Sequence, residues 1–355
     1  MLGSLGFLAA HPNFMSTLRF TVARQEKGKT LAAVLKLRLN LSWSKARQLI
    51  EQKRVRVGGH ICPDSVRRLR IDECIEVRST SRPKAPARSK SVIRTPEPKM
   101  PRFTLVHVDD DIVIADKPSR LTTMRHAAEA AEFGERGKRF LPPTLADLLP
   151  AMLVDSRPVR AVHRLDRDTS GLVAFARTPE AERRLGEQFR AHTIARHYLA
   201  IVRGQAKPAR IESTLLRDRG DGRRGSSREA DPSDGQLAVT QVELIEELGD
   251  FTLVKCSLET GRTHQVRIHL GEAGTPICGE RIYDRPLHGA PMPDKSGAPR
   301  LALHAARLGL RHPTTGEWRE WTSPLPEDLE QLLKRLRAGK NSQAGKDQRA
   351  EREAD

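Results

Sequence analysis

The stretch Ala161–Arg177, "AVHRLDRDTSGLVAFAR", decides how the rest of the chain is read. Its second half, "LVAFA" after Gly171, is an unbroken apolar run of strand length, the pattern of a strand buried on both faces. Its first half packs one His, two Arg and two Asp into His163–Asp168, at the entrance to that strand and beside a Thr-Ser-Gly turn. A carboxylate fixed there, with Arg164 and Arg167 as neighbours, stays ionised and nucleophilic at neutral pH. An Asp-rich turn that only satisfies its own backbone uses the same residues. Spacing alone leaves both readings open.

Two further segments bear on the choice. In "TGRTHQVRIHL", Thr260–Leu270, the alternation reads as a strand with Val266, Ile268 and Leu270 on one face and Gln265, Arg267 and His269 on the other. Polar side chains on a core strand are costly unless they line a cleft or bind something, and an Arg there is a natural partner for a buried Asp. The plainer reading is solvent-facing alternation. Tyr198, in "ARHYLAIVRG", is one of only two tyrosines in the chain. It is either a core residue or a stacking surface.

Composition sets the frame. A chain of 355 residues predicts two domains plus tails. No apolar run approaches the roughly 18–20 residues of a spanning helix, so no membrane partner is expected. The start, "MLGSLGFLAAHPNF", lacks the basic n-region of a secretory signal and reads as a disordered leader, residues 1–16. Four scattered cysteines, with no CxxC or Cys/His cluster, argue against a disulfide framework and a zinc site and fit a reducing cytoplasm. Charge is the strongest signal. The net +17 is concentrated between Thr17 and Met100, where 21 Lys/Arg face 7 Asp/Glu. Such a module is expected to meet a polyanion.

That module reads as a small α/β unit. "KTLAAVLKLRL" places Leu31, Val34 and Leu35 at helical spacing with Thr30 as N-cap. "SWSKARQLIEQKRV" is a second helix burying Ala46, Leu49 and Ile50, and it leaves Lys45, Arg47, Gln48, Lys53 and Arg54 to project elsewhere. "VRVGGHI", which carries Arg56, and "IDECIEVR" are strands. Residues 80–100, rich in Pro, Ser and basic side chains, form a linker. From there to residue 330 strands outnumber helices and hairpin signals recur, with "TPEAERRLGEQFRAHT" as one capped helix. The long polar segment "LRDRGDGRRGSSREADPSDGQ" reads as a surface loop. Residues 331–355 read as a polar charged tail. The expected class is α+β: a largely antiparallel mixed sheet flanked by helices, plus the small N-terminal domain.

"HRLDRDTSGL" resembles the HRLD-x-x-T-S-G-L pattern of the RluA-type RNA pseudouridine synthases. The likeness runs, in the family's order, through "VHVDDDIVIADKPSRLTT", "RHYLAIVRG", "TGRTHQVRIHL", "GTPICGERIYD" and "LALHAARLGLRHPTTGE", covering about Phe103–Pro324. Residues 17–79, helix-helix-hairpin, resemble the S-four-like RNA-binding domain that many members carry. The resemblance implies a pseudouridine synthase fold and a reaction without metal or cofactor. It implies Asp166 as catalytic carboxylate, Arg267 as its partner, Tyr198 as the ring packing on uracil, and Arg164 as the residue that displaces and replaces the target nucleotide. Leu303 lies in a pocket-lining segment, and His163 and Gln265, within the matched segments, are substrate-binding candidates. Lys45, Arg47, Gln48, Lys53, Arg54 and Arg56 are RNA-binding candidates. Two departures stand out. Arg120 occupies the Gly position of the family's KP-x-G motif, and Ala127–Phe140 looks like an insertion. The expectation is a monomeric enzyme acting on RNA, large-subunit ribosomal RNA before transfer RNA. A non-catalytic ribosome-assembly factor and a metal-dependent nuclease are the rival classes.

Overall fold

The computed structural model describes residues 17–39, 41, 43–65, 67–78, 102–125, 142–219, 223–227, 235–287 and 289–354. The expected leader (1–16), the linker (80–100) and the segment 127–140 lie outside the described residues. Chain contacts separate two compact units, Met1–Glu97 with Arg217–Arg223, and Pro98–Leu216 with Arg224–Asp355. Among the described residues, no helix is long and apolar enough to cross a membrane.

The N-terminal unit packs helices α1 (Leu31–Leu39) and α2 (Trp43–Glu51) on a four-stranded antiparallel sheet. Its strands are β1 (Thr17–Thr21), β2 (Val55–Val57), β3 (His60–Ile61) and β4 (Cys74–Arg78), in the order β1-β4-β2-β3. Leu31, Val34, Leu35, Ala46 and Ile50 meet Val55, Val57, Ile75 and Val77 in a single core. Thr30 Oγ1 accepts the Ala33 N–H at 3.3 Å, as the N-cap reading expects.

The second unit is built on one large sheet. Strands β5 (Thr104–Val108) and β6 (Ile112–Lys117) flank an acidic turn, where Asp109 accepts the N–H groups of Asp111 (2.9 Å) and Ile112 (2.8 Å). After the single turn α3 (Leu145–Leu148) come β7 (Arg160–Ala161), β8 (Ser170–Ala176) and α4 (Pro179–Arg190), which Thr178 caps through the Ala181 N–H at 3.1 Å. Then follow β9 (Ala195–Arg203), β10 (Ala209–Leu216), β11 (Gly225–Ser226), β12 (Gln236–Glu247), β13 (Phe251–Leu258), α5 (Gln265–Glu272), β14 (Leu303–Arg311), β15 (Trp318–Thr322) and α6 (Glu327–Ala354). The strand order is β11-β10-β12-β13-β9-β14-β8-β6-β5, with β15 on β14 and β7 on β8.

Every pairing is antiparallel except β14 with β8. That joint is short, His304 to Ser170 and Ala305 to Gly171. Gly171 sits at φ +114, and a Cβ there would lie 2.3 Å from the Ala305 carbonyl oxygen. The Thr-Ser-Gly turn therefore has a steric cause: only glycine lets β8 reach β14 at this point. Beyond it β8 is buried along its whole length. Val173 and Phe175 face one core, while Leu172, Ala174 and Ala176 face another that includes Ala181 and Leu185 of α4.

Three expectations are corrected. "HQVRIHL" is not a strand but helix α5, and its residues from Gln265 to Gly271 are all buried. Alternation misled because no face of this segment meets solvent. Gln265 and His269, one helical turn apart, instead reach the same Thr240 hydroxyl on β12, at 3.0 and 2.9 Å. The supposed tail begins inside α6, whose Leu329, Leu332 and Leu333 fill the main core. Within the polar loop, Gly225–Ser226 is a buried strand on β10, and Ser226 donates its N–H to Glu272 Oε1 at 3.1 Å.

Candidate active site

The loop ahead of β8 carries Asp166, and the segment Lys117–Thr123 holds it from beneath. Lys117 is fully buried, and its Nζ donates to the carbonyls of Pro118 (2.9 Å), Leu121 (2.8 Å) and Arg167 (3.2 Å). Burial pushes its ammonium down to about 7, against the pull of Asp166 and Asp168. Thr123 Oγ1 donates to the Leu165 carbonyl (2.9 Å) and accepts its N–H (3.1 Å). Ser119 Oγ donates to the Asp168 carbonyl at 2.9 Å, and Arg167 Nε to the Arg120 carbonyl at 3.3 Å. The backbone is thus pinned on both sides of Asp166, which fixes its carboxylate before any ligand arrives. Arg120 holds φ +67, so the loop keeps a glycine-like backbone although the residue is not glycine.

Asp166 faces two groups from α5 and its N-terminus. Arg267 Nη1 lies 3.3 Å from Oδ2, and His264 Nε2 lies 3.8 Å from Oδ1. Arg267 is held in turn by Glu280, whose oxygens accept from Nε (2.6 Å) and Nη2 (2.9 Å) in a forked pair. Glu280 also accepts the N–H groups of Arg281 (2.9 Å) and Ile282 (2.8 Å). Burial works against the Arg267 cation, but Glu280 and Asp166 hold its pKa above the ordinary value. Burial would likewise raise Glu280, and the Arg267 hydrogen bonds bring it below the usual carboxylate range. His264 stands at φ +61 and shares a 2.8 Å hydrogen bond with the Tyr283 hydroxyl; burial lowers its pKa while Asp166 opposes. The Tyr283 ring lies beneath the Arg267 guanidinium, 5.3 Å from centroid to carbon.

The opposite wall comes from the sheet. Tyr198 on β9 is 8% exposed, and burial pushes its phenol up to about 12, so it stays a neutral ring at physiological pH. Leu303 lies on the neighbouring β14. Asp166, Arg267, Tyr198, Leu303 and the exposed Arg164, distant in sequence, line one cleft of about 460 Å³. That size is within the range of small-ligand pockets.

Two expected substrate-binding residues also line this cleft, with polar atoms already engaged inside the protein. Gln265 uses its whole carboxamide inside the protein. Its Oε1 accepts from Thr260 Oγ1 (2.8 Å) and the Arg262 N–H (2.9 Å), and its Nε2 donates to the Val239 carbonyl (2.9 Å) and Thr240 Oγ1 (3.0 Å). His163 stacks on Phe189 at 4.6 Å, and its Nε2 accepts the Ala174 N–H at 2.9 Å. Burial pushes His163 down to about 3, so the ring is a neutral brace for β8. Glu280, His264, Tyr283 and Lys117 were not singled out from sequence. The available signal was the Glu-x-x-Tyr of "GERIYD", two hydrogen-bonding residues beside an apolar run.

The N-terminal candidates sit in the other unit. Lys45, Arg47 and Gln48 are on α2, and Lys53 occupies the turn after it at φ +57. Arg56 lies on β2. Arg54 donates from Nε (3.0 Å) and Nη2 (2.7 Å) to the Arg78 carbonyl.

The RNA pseudouridylate synthase family profile matches residues 111–272, the span that holds Asp166 and Arg267. "Ribosomal large subunit pseudouridine synthase D" of Nitrosomonas europaea is 38% identical over 237 residues, 64% of this chain and 64% of that protein. The chain therefore spans just under two thirds of that relative's length. "Ribosomal large subunit pseudouridine synthase C" of Escherichia coli K12 is 36% identical over 243 residues, 66% of this chain and 70% of the relative. Among solved structures, "Human RNA Pseudouridylate Synthase Domain Containing 4" superposes with a TM-score of 0.52 at 23% identity, over 66% of this chain and 92% of that one, a likeness of fold. Motifs, sheet and relatives agree, and the chain belongs to the RluA-type RNA pseudouridine synthase family.

Proposed function

We propose that this protein isomerises specific uridines of large-subunit ribosomal RNA to pseudouridine, with Asp166 as the carboxylate that opens the glycosidic bond. The observation that carries the reading is the Asp166–Arg267–Glu280 array, whose first two members line a cleft of about 460 Å³. A lone structural Asp has no need of a cation that is itself aligned by a second buried carboxylate. The relatives' names point to the ribosomal large subunit as the source of substrate.

A uridine inside structured RNA must leave its stack to reach the cleft, at a cost of about a few kcal/mol. Arg164, exposed on the cleft wall, fills the space left behind, and the neutral Tyr198 ring packs on the extruded base. Asp166 then acts at the ribose, either by attack at C1′ or by assisting elimination, and the N1–C1′ bond breaks. The freed uracil turns and bonds C1′ through C5; C5 then loses its proton, and N1, which carried none while bound to C1′, gains one. Arg267, whose Nη1 lies 3.3 Å from Oδ2, orients the carboxylate for that step. The N-terminal unit supplies sequence-independent attraction to the RNA backbone through its excess of positive charge.

The test is release of tritium from RNA labelled at uridine C5, beside filter binding of the same RNA. Asp166→Asn is expected to lose turnover by at least about a thousandfold and to bind as the wild type does. Asp168→Asn retains most activity. Substantial turnover by Asp166→Asn would remove that carboxylate from the mechanism.

A further inference from the structure

Arg196 is a buried cleft residue to which the reaction above gives no task. It lies on β9 two positions before Tyr198, so both side chains leave the same face of the strand. It is 8% exposed, its Nε has no hydrogen-bond partner, and among the described residues no carboxylate pairs with it. Its guanidinium lies over the Phe189 ring, 5.7 Å from centroid to guanidinium carbon. Other buried arginines of this unit are satisfied. Arg267 has Glu280, and Arg203 donates to the carbonyls of Ile277 (3.1 Å) and Glu280 (2.8 Å).

The protein makes room for this unpaired cation. A Cβ on Gly261 would lie 2.3 Å from Arg196 Nη1 and 3.3 Å from its Cζ, so glycine there leaves the guanidinium its position. The charge around it is one-sided. Five arginines (164, 190, 196, 262 and 267) line the cleft against one carboxylate, Asp166, which already faces Arg267 and His264. A cation removed from water is tolerated when a partner of opposite charge arrives to meet it. Uracil is neutral. Its carbonyls could accept a hydrogen bond but would leave the buried charge uncompensated. The anion that a flipped nucleotide brings with it is its phosphodiester.

We infer that Arg196 is a phosphate-binding residue that holds the phosphodiester flanking the uridine drawn into the cleft. The inference rests on the function proposed above and deepens it. Ribosomal RNA bound elsewhere on the surface does not complete this site; only a nucleotide that has left its stack carries a phosphate to Arg196. The residue thereby favours the extruded state over the stacked one, and it acts in binding rather than at the glycosidic bond.

The test uses the full chain and unmodified large-subunit ribosomal RNA transcribed in vitro. Wild type, Arg196→Met and Arg196→Lys are compared in steady-state pseudouridine formation and in binding across a salt series. Arg196→Met is expected to raise KM about tenfold with kcat nearly unchanged, the loss of one charge-assisted contact. It is also expected to flatten the slope of log affinity against log salt by about 0.7–0.9, the value of one phosphate contact. Arg196→Lys restores the slope and most of KM. A slope identical to that of the wild type in Arg196→Met overturns the inference, because a merely structural arginine releases no counterion. If the wild type forms no pseudouridine, the proposed function fails, and the slopes still decide the role of Arg196.

Discussion

In the cleft, Arg267 is 7% exposed and fixed by a forked pair to Glu280, while in the N-terminal unit Lys45, Gln48 and Lys53 lie exposed on one helix and the turn behind it. Both regions are rich in positive charge, and they use it in opposite ways. Taken out of water and aligned, a cation near a carboxylate sets where that carboxylate points. Left at the surface, a cation is screened within about 8–10 Å and works by number, through counterions released from RNA. Position decides the first kind of charge, and count decides the second. One substitution should therefore disable the cleft, whereas many are needed to disable the basic unit.

The loss of turnover in Asp166→Asn is the largest effect expected. Next is removal of residues 1–100, which carries away +14 of the net +17. The truncated protein should lose several units of salt slope and bind RNA weakly at moderate salt. Its turnover on a short, saturating RNA should change less. Equal slopes for full-length and truncated proteins would break the comparison, since the basic unit would then not be the anchor.

Glu280→Gln sharpens it from the other side. The substitution keeps shape and removes the charge that aligns Arg267, so turnover should fall about tenfold to a hundredfold with affinity for RNA little changed. Breaking a buried pair should also lower the unfolding free energy by about 3 kcal/mol. Parallel loss of affinity and turnover would make Arg267 an ordinary backbone contact.

Lys117 gives the comparison a pH axis. Burial holds its native pKa near 7, below the usual lysine value, so between about pH 7 and 10 the unfolded chain binds more protons than the folded one. Its contribution to stability accordingly rises with pH over that window and is lowest below 7. Denaturant unfolding of the wild type and Lys117→Met should show a difference that shifts in favour of the wild type as pH climbs. A constant difference would mean that the ammonium stays charged in its carbonyl cage. The smallest effect is at Arg120, whose left-handed backbone costs about 1 kcal/mol. Arg120→Gly should raise stability by that order or less and leave turnover unchanged.

Much of this was legible in the sequence because it rested on local rules. The apolar run after Gly171 is a strand buried on both faces, and Thr178 caps its helix. Asp166, Arg267 and Tyr198 could be picked out by type and motif, and they line one cleft. What sequence could not supply was the partner of each polar group. In α5, alternation suggested a strand because it was assumed to separate core from solvent, and no such boundary exists where every residue is buried. For the same reason Gln265 and His163 looked available for substrate, although their hydrogen bonds go to Thr240, Val239 and Ala174. Glu280 and Lys117 act on residues 13 and 50 positions away in sequence, at contacts only the fold creates.

The most direct test of the account is pseudouridine mapping of large-subunit ribosomal RNA from cells lacking this protein, complemented with wild type or with Asp166→Asn. The account predicts that defined sites lose pseudouridine in the deletion, recover it with the wild type, and stay unmodified with Asp166→Asn expressed at the same level. Full modification in the deletion, or recovery with Asp166→Asn, would contradict it.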